Sequence, residues 1–207
     1  MKYYQEVHLV ESDNFRPING VCYLFVEDNK KSTLKYGTLT LHLRNDYEPY
    51  HIDNCVQDGI VRHIPDNLPA EYANIKVGDK VYTHHFLINE KNLVEINGEP
   101  MRTIQYDQIY CIIHSEGMLE MLGKWNLLEP IKEDESNFKT AGGLLLKPEI
   151  GNIERYGIIR YSNTELLDTG AKIGDKVTMR KNSEYEIEVE GKRYFRVHND
   201  DILAVIE

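Results

Sequence analysis

Alanine is scarce in this sequence, at five residues in 207. A chain so poor in the best helix former is expected to be built from strands, and its 14 tyrosines, with Val, Ile and Thr recurring in short runs, point the same way. Long apolar runs are missing as well. No stretch approaches the roughly 20 apolar residues of a membrane-spanning helix, so no membrane association is expected. The opening residues Met1, Lys2, Tyr3, Tyr4, Gln5 and Glu6 hold no apolar signal-peptide core, which makes the cytoplasm the expected location. A basic excess is lacking: 24 Lys and Arg against 34 Asp and Glu give a net charge of -10, which argues against nucleic acid as a partner. Cysteine is limited to Cys22, Cys55 and Cys111, an odd and widely spaced set that does not make a disulfide framework. Cys22 and Cys111 sit in apolar runs and read as small core residues.

Catalytic and metal-binding patterns are also absent. His84 and His85 are adjacent, so on a strand they point to opposite faces and do not share an ion. The other six histidines are scattered, and neither Cys-x-x-Cys nor His-x-x-x-His occurs. No phosphate-binding glycine loop and no nucleophile elbow is present. Glu184, Glu186, Glu188 and Glu190 alternate with Tyr185, Ile187 and Val189, which is the pattern of a hairpin with one solvated face rather than of paired catalytic carboxylates. No cofactor, no metal and no enzymatic activity are expected.

What the sequence does contain is period-two alternation and a repeat. Val21, Tyr23 and Phe25 alternate with Cys22 and Leu24, and Leu39 and Leu41 alternate with Thr38, Thr40 and His42. Ile109, Tyr110, Cys111, Ile112 and Ile113 form a continuous apolar run, as in a strand covered on both faces. Asn97-Gly98, Glu190-Gly191 and Gly174-Asp175 mark turns. The one short helical candidate is the stretch 118–122 between Gly117 and Gly123, which reads equally well as a linker.

Four blocks recur in the same order, 93 to 98 residues apart. Lys76-Val77-Gly78-Asp79-Lys80-Val81 returns as Lys172-Ile173-Gly174-Asp175-Lys176-Val177. Gly59-Ile60-Val61-Arg62 returns as Gly157-Ile158-Ile159-Arg160. Asp107-Gln108-Ile109-Tyr110-Cys111-Ile112-Ile113 returns as Asp200-Asp201-Ile202-Leu203-Ala204-Val205-Ile206, and Gly98 returns as Gly191. Each copy reads as several short strands at barrel-like spacing.

The second copy resembles the GroES-type co-chaperonin family. The resemblance lies in Gly142-Gly143-Leu144-Leu145-Leu146, similar to that family's mobile loop, in the Gly174-Asp175 turn, and in the closing Asp201-Ile202-Leu203-Ala204-Val205-Ile206. The first copy keeps the Gly-Asp turn and the terminal strand. In place of the double glycine and three aliphatics it has Gly37-Thr38-Leu39-Thr40-Leu41. The fold this implies is all-β, two tandem GroES-like small β-barrels: residues 1–20 an N-terminal extension, 21–116 a divergent barrel, 117–124 a linker and 125–207 the second barrel. The arrangement is similar to the double co-chaperonins of plastids, and a viral member would also fit.

The implied function is a co-chaperonin. A homo-oligomeric ring would cap a GroEL-type chaperonin in its ATP-bound state and enclose an unfolded client without touching nucleic acid or membrane. Gly142, Gly143, Leu144, Leu145 and Leu146 would make the chaperonin contact, with Gly37, Leu39 and Leu41 as a second loop. Segments 161–171 and 63–75 fall where the family carries its roof hairpin, and the terminal strands where it pairs neighbouring subunits. A structural or assembly protein reusing the barrel pair, without a chaperonin, is the competing reading.

Overall fold

Short alternating runs cannot bury their apolar faces alone and do so by pairing into sheets. The computed structural model describes residues 8–11, 15–27, 33–36, 39–42, 55–84, 87, 90–133 and 152–206. Among these it places sixteen strands and a single α-helix of five residues. The chain divides into two compact units, Met1–Gly123 and Lys124–Glu207.

Unit 1 holds β1 (His8–Val10), β2 (Val21–Phe25), β3 (Thr33–Tyr36), β4 (Leu39–His42), β5 (Asp58–His63), β6 (Lys80–Thr83), β7 (Leu93–Ile96), β8 (Glu99–Gln105), β9 (Ile109–Ile113) and β10 (Leu119–Met121). Eight of these form one sheet in the order β1-β7-β8-β2-β5-β6-β9-β10, and β3 pairs with β4 alone. Unit 2 holds β11 (Trp125–Lys132), β12 (Asn152–Tyr161), helix α1 (Thr164–Asp168), β13 (Lys176–Met179), β14 (Tyr185–Val189), β15 (Lys192–His198) and β16 (Ile202–Ile206). Its six strands run β14-β15-β11-β12-β13-β16. With β1 and β10 set aside, the two sheets have the same strand order.

Among the described residues neither ladder closes on itself, so the sheets are open where closed barrels were expected. Register shifts bend the strands at Leu127/Leu128 and Thr178/Met179 in unit 2, and at Tyr23/Leu24 and Tyr82/Thr83 in unit 1. Each unit buries an apolar cluster against its sheet. Matching positions do this in both: Leu24, Val61, Val81 and Ile104 in unit 1, Leu128, Ile159, Val177 and Val197 in unit 2. Cys22 and Cys111 are fully buried, and desolvation pushes the Cys22 thiol up to about 12.

The repeated blocks have repeated geometry. In each Gly-Asp turn the glycine takes positive φ, +97° at Gly78 and +99° at Gly174, as a type II turn requires. The aspartate caps its own turn: Asp79 Oδ2 accepts from the Lys76 amide at 2.8 Å, and Asp175 Oδ2 from the Lys172 amide at 2.9 Å. The two marked hairpins turn through consecutive positive-φ residues, Asn97-Gly98 and Glu190-Gly191, which matches the twist of the flanking strands.

Two sequence expectations are corrected. The stretch 118–122 is neither helix nor linker, because Leu119–Met121 pairs with β9 as strand β10. Segments 63–75 and 161–171 hold no hairpin. A 3₁₀ turn at Ala70–Tyr72 occupies the first, and α1, capped by the Asn163 side chain on the Leu166 amide, occupies the second.

Candidate functional site

Both loops singled out in the sequence spring from neighbouring antiparallel strands. β11 and β12 face each other through Pro130 opposite Gly157 and Lys132 opposite Asn152, so the segment between them leaves and returns at one end of a single ladder. Gly142, Gly143, Leu144, Leu145 and Leu146 lie in that segment, outside the described residues. In unit 1 the corresponding strands are β2 and β5, with Phe25 opposite Ile60. Gly37 lies outside the described residues, while Leu39 and Leu41 fall in β4, opposite Tyr36 and Leu34 of β3. The structure therefore gives the stems of both loops and a hairpin within the first.

The stems explain one repeated glycine. A Cβ on Gly157 would stand 2.9 Å from the Leu128 Cβ, and one on Gly59 would stand 3.0 Å from the Phe25 carbonyl oxygen. Only glycine lets the two stem strands approach this closely. Three residues on, the repeated arginine holds the outer face: Arg160 pairs with Glu129 across the second stem, and Arg62 lies over the Phe25 ring at 5.2 Å in the first.

The second feature is an edge. Among the described residues β16 pairs with β13 on one side only. Leu203 (58% exposed), Val205 (44%) and Ile206 (38%) face solvent. Beside the strand runs a groove of about 780 Å³, walled on the other side by Glu165, Leu166, Thr169 and Ala171. The other bare edge of this sheet, β14, carries exposed Glu186 and Glu188, the usual protection against stray pairing. In unit 1 the strands that match these two edges each carry a further strand, β7 paired with β1 and β9 with β10. Sequence reasoning missed both covering strands and the groove. The groove depends on α1, which is too short to leave a helical period.

Among the described residues no cluster of three or more His, Cys, Asp or Glu is placed to hold a metal ion, and no helix is long and apolar enough to cross a membrane. What the surface offers among the described residues is an apolar strand edge beside a groove, suited to binding protein.

Comparison with known proteins agrees with that class. The chaperonin 10 kDa subunit family model matches residues 120–206. A co-chaperonin GroES of Fusobacterium nucleatum subsp. polymorphum is 39% identical over 92 residues, 43% of this chain and 98% of the relative. A co-chaperonin GroES of Geotalea daltonii is 38% identical over 84 residues, 37% of this chain and 88% of the relative. One from Bacillus sp. strain PS3 is 33% identical over 96 residues, 43% and 99% respectively. The chain belongs to the chaperonin 10 kDa subunit family.

Proposed function

We propose that this protein is a co-chaperonin, built from two GroES-like β-sheet units in tandem, that caps a GroEL-type chaperonin and encloses an unfolded client. In this reading residues 21–116 and 125–207 carry the two GroES-like units, and the chains assemble into a ring in the cytoplasm. The observation that carries it is the match, along almost their whole length, to proteins named co-chaperonin GroES.

Gly142 and Gly143 give the loop backbone freedom, and Leu144, Leu145 and Leu146 supply the apolar contact with the chaperonin in its ATP-bound state. One such loop binds weakly, because ordering it offsets most of what three leucines contribute. A ring presenting several loops at once binds through effective concentration, and each weak contact still lets go when the chaperonin changes state. The apolar β16 edge and its groove suit a contact between neighbours in the ring. The protein itself hydrolyses nothing; the nucleotide belongs to its partner.

Pull-down with a GroEL-type chaperonin, with and without ATP, tests the reading. Nucleotide-dependent capture of the wild type, lost in Leu145→Asp while the circular dichroism spectrum is unchanged, is the expected result. Equal capture of the variant would sink the assigned loop role.

A further inference from the structure

β10 is a strap laid along the outer edge of β9. Leu119 faces Ile113, Glu120 faces Ile112 and Met121 faces Cys111. The Leu122 amide then donates to the Tyr110 carbonyl at 2.9 Å, and Leu122, 1% exposed, enters the unit 1 core with Tyr72 and Ile75. The reversal between β9 and β10 is closed by Gly117 N–H on the His114 carbonyl at 2.8 Å and by His114 N–H on the Met118 carbonyl at 3.1 Å.

The His114 side chain stands at this reversal with both ring nitrogens on carboxylates. Nδ1 is 3.2 Å from Asp79 Oδ2 and Nε2 is 3.1 Å from Glu120 Oε2. Asp79 is buried in the turn before β6, where the Lys76 amide already holds it. Glu120 belongs to the strap, and its other oxygen accepts from Asn74 Nδ2 at 2.7 Å. Lys76 adds an electrostatic attraction to Glu120. These are the charged and polar partners that the turn and the strap bring to the imidazole and to its carboxylates.

A neutral imidazole has one N–H and one lone pair, and only the imidazolium donates from both nitrogens. Two carboxylate acceptors on opposite sides of the ring therefore call for the doubly protonated form. We propose that His114 is a proton-controlled clasp: with both protons it ties the β10 strap to the Asp79 turn, and on losing one it turns a lone pair toward a carboxylate and loosens the strap from β9. The hydrogen bond to Glu120 raises the proton affinity of His114, partial burial works against this, and Asp79 adds to it. Burial pushes Glu120 up, but the bonds from Asn74 and His114 outweigh it and leave the carboxyl below its usual range.

The direction with pH follows. A histidine raised in the folded state contributes fully below its unfolded value of about 6.5, and the contribution is lost as pH rises through the higher folded value. Release is thus an alkaline event. It exposes the β9 edge and extends the stretch ahead of β11 not bonded to β9 from 123–124 to 114–124.

Full-length, uniformly ¹⁵N-labelled protein tests this by NMR. The readouts are the His114 ring protonation and the exchange protection of the Leu122 amide, corrected for the intrinsic effect of pH. Protection is expected to fall about five- to tenfold as His114 deprotonates, the equilibrium worth of one hydrogen bond. The Ile159 amide, bonded to Asp175 in unit 2, should show no such step. Glu120→Gln, whose amide can donate to a neutral ring, should remove the step and leave the strap in place. A His114 carrying one ring proton while Leu122 is fully protected overturns the clasp. So does a step that persists in Glu120→Gln, or protection indifferent to the titration.

Discussion

Asn126 and Asn199 stand in unit 2 where the same ladder register in unit 1 puts Cys22 and Tyr106. The unit 1 pair belongs to an apolar cluster. The unit 2 pair joins Asn163 in a closed network. Asn126 Nδ2 and Asn163 Nδ2 each donate to Asn199 Oδ1 at 2.8 Å, and Ser162 Oγ donates to Asn126 Oδ1 at 2.7 Å. A buried amide is stable only while every partner is present, and Asn163 also caps α1. Asn163→Ala should destabilise unit 2 by about 1–3 kcal/mol through the lost cap and the orphaned amides. Trp125, the one tryptophan of the chain, lies in unit 2, so its fluorescence during urea unfolding isolates this effect. Gly157→Ala should cost a similar amount, about 1–3 kcal/mol, by forcing the stem strands apart, and the same probe reports it. Gly59→Ala should act likewise in unit 1, where amide exchange reads it and tryptophan fluorescence does not.

At the scale of elements, alternation made β2 and β14 legible, and the apolar run made β9 legible, because these strands pack one face or both on a core. β10 escaped notice because Leu119, Glu120 and Met121 are too few to show a period, and their partner is chosen by the edge they meet. β1 escaped because its parallel pairing with β7 joins segments far apart in the chain. Gly142, Gly143 and the three leucines after them stand out in the sequence but lie outside the described residues; the groove beside β16 was not legible, since tertiary placement of α1 creates it. That edge carries a prediction of its own. Val205 is exposed in the isolated chain, so Val205→Lys should change the stability of unit 2 by no more than about 0.5 kcal/mol. If β16 joins neighbours in the ring, the same change should reduce the assembled species seen in sedimentation velocity to the single chain. An undiminished ring would mean that the assembly uses another surface.

For the whole molecule, the repeat in sequence has a counterpart in strand order, and the difference between the units lies at the edges. Replacing residues 139–146 with a Gly-Ser segment of equal length should leave the unfolding of both units unchanged and abolish ATP-dependent capture by the chaperonin. Retained capture would move the binding function to the β3–β4 hairpin side of unit 1. The same replacement around 37–41 then decides whether the first loop contributes.

The strap on β9 also bears on how the chain is made. Translation delivers unit 1 first, at about 5–20 residues per second. The apolar edge of β9 emerges only a few residues ahead of β10, so nascent unit 1 acquires its own cover within about a second and shows little sticky surface to neighbouring polysomes. β16, among the described residues, is paired only with β13 and keeps Leu203, Val205 and Ile206 exposed. If copies of this chain meet at that edge, as proposed, assembly rather than folding supplies its cover.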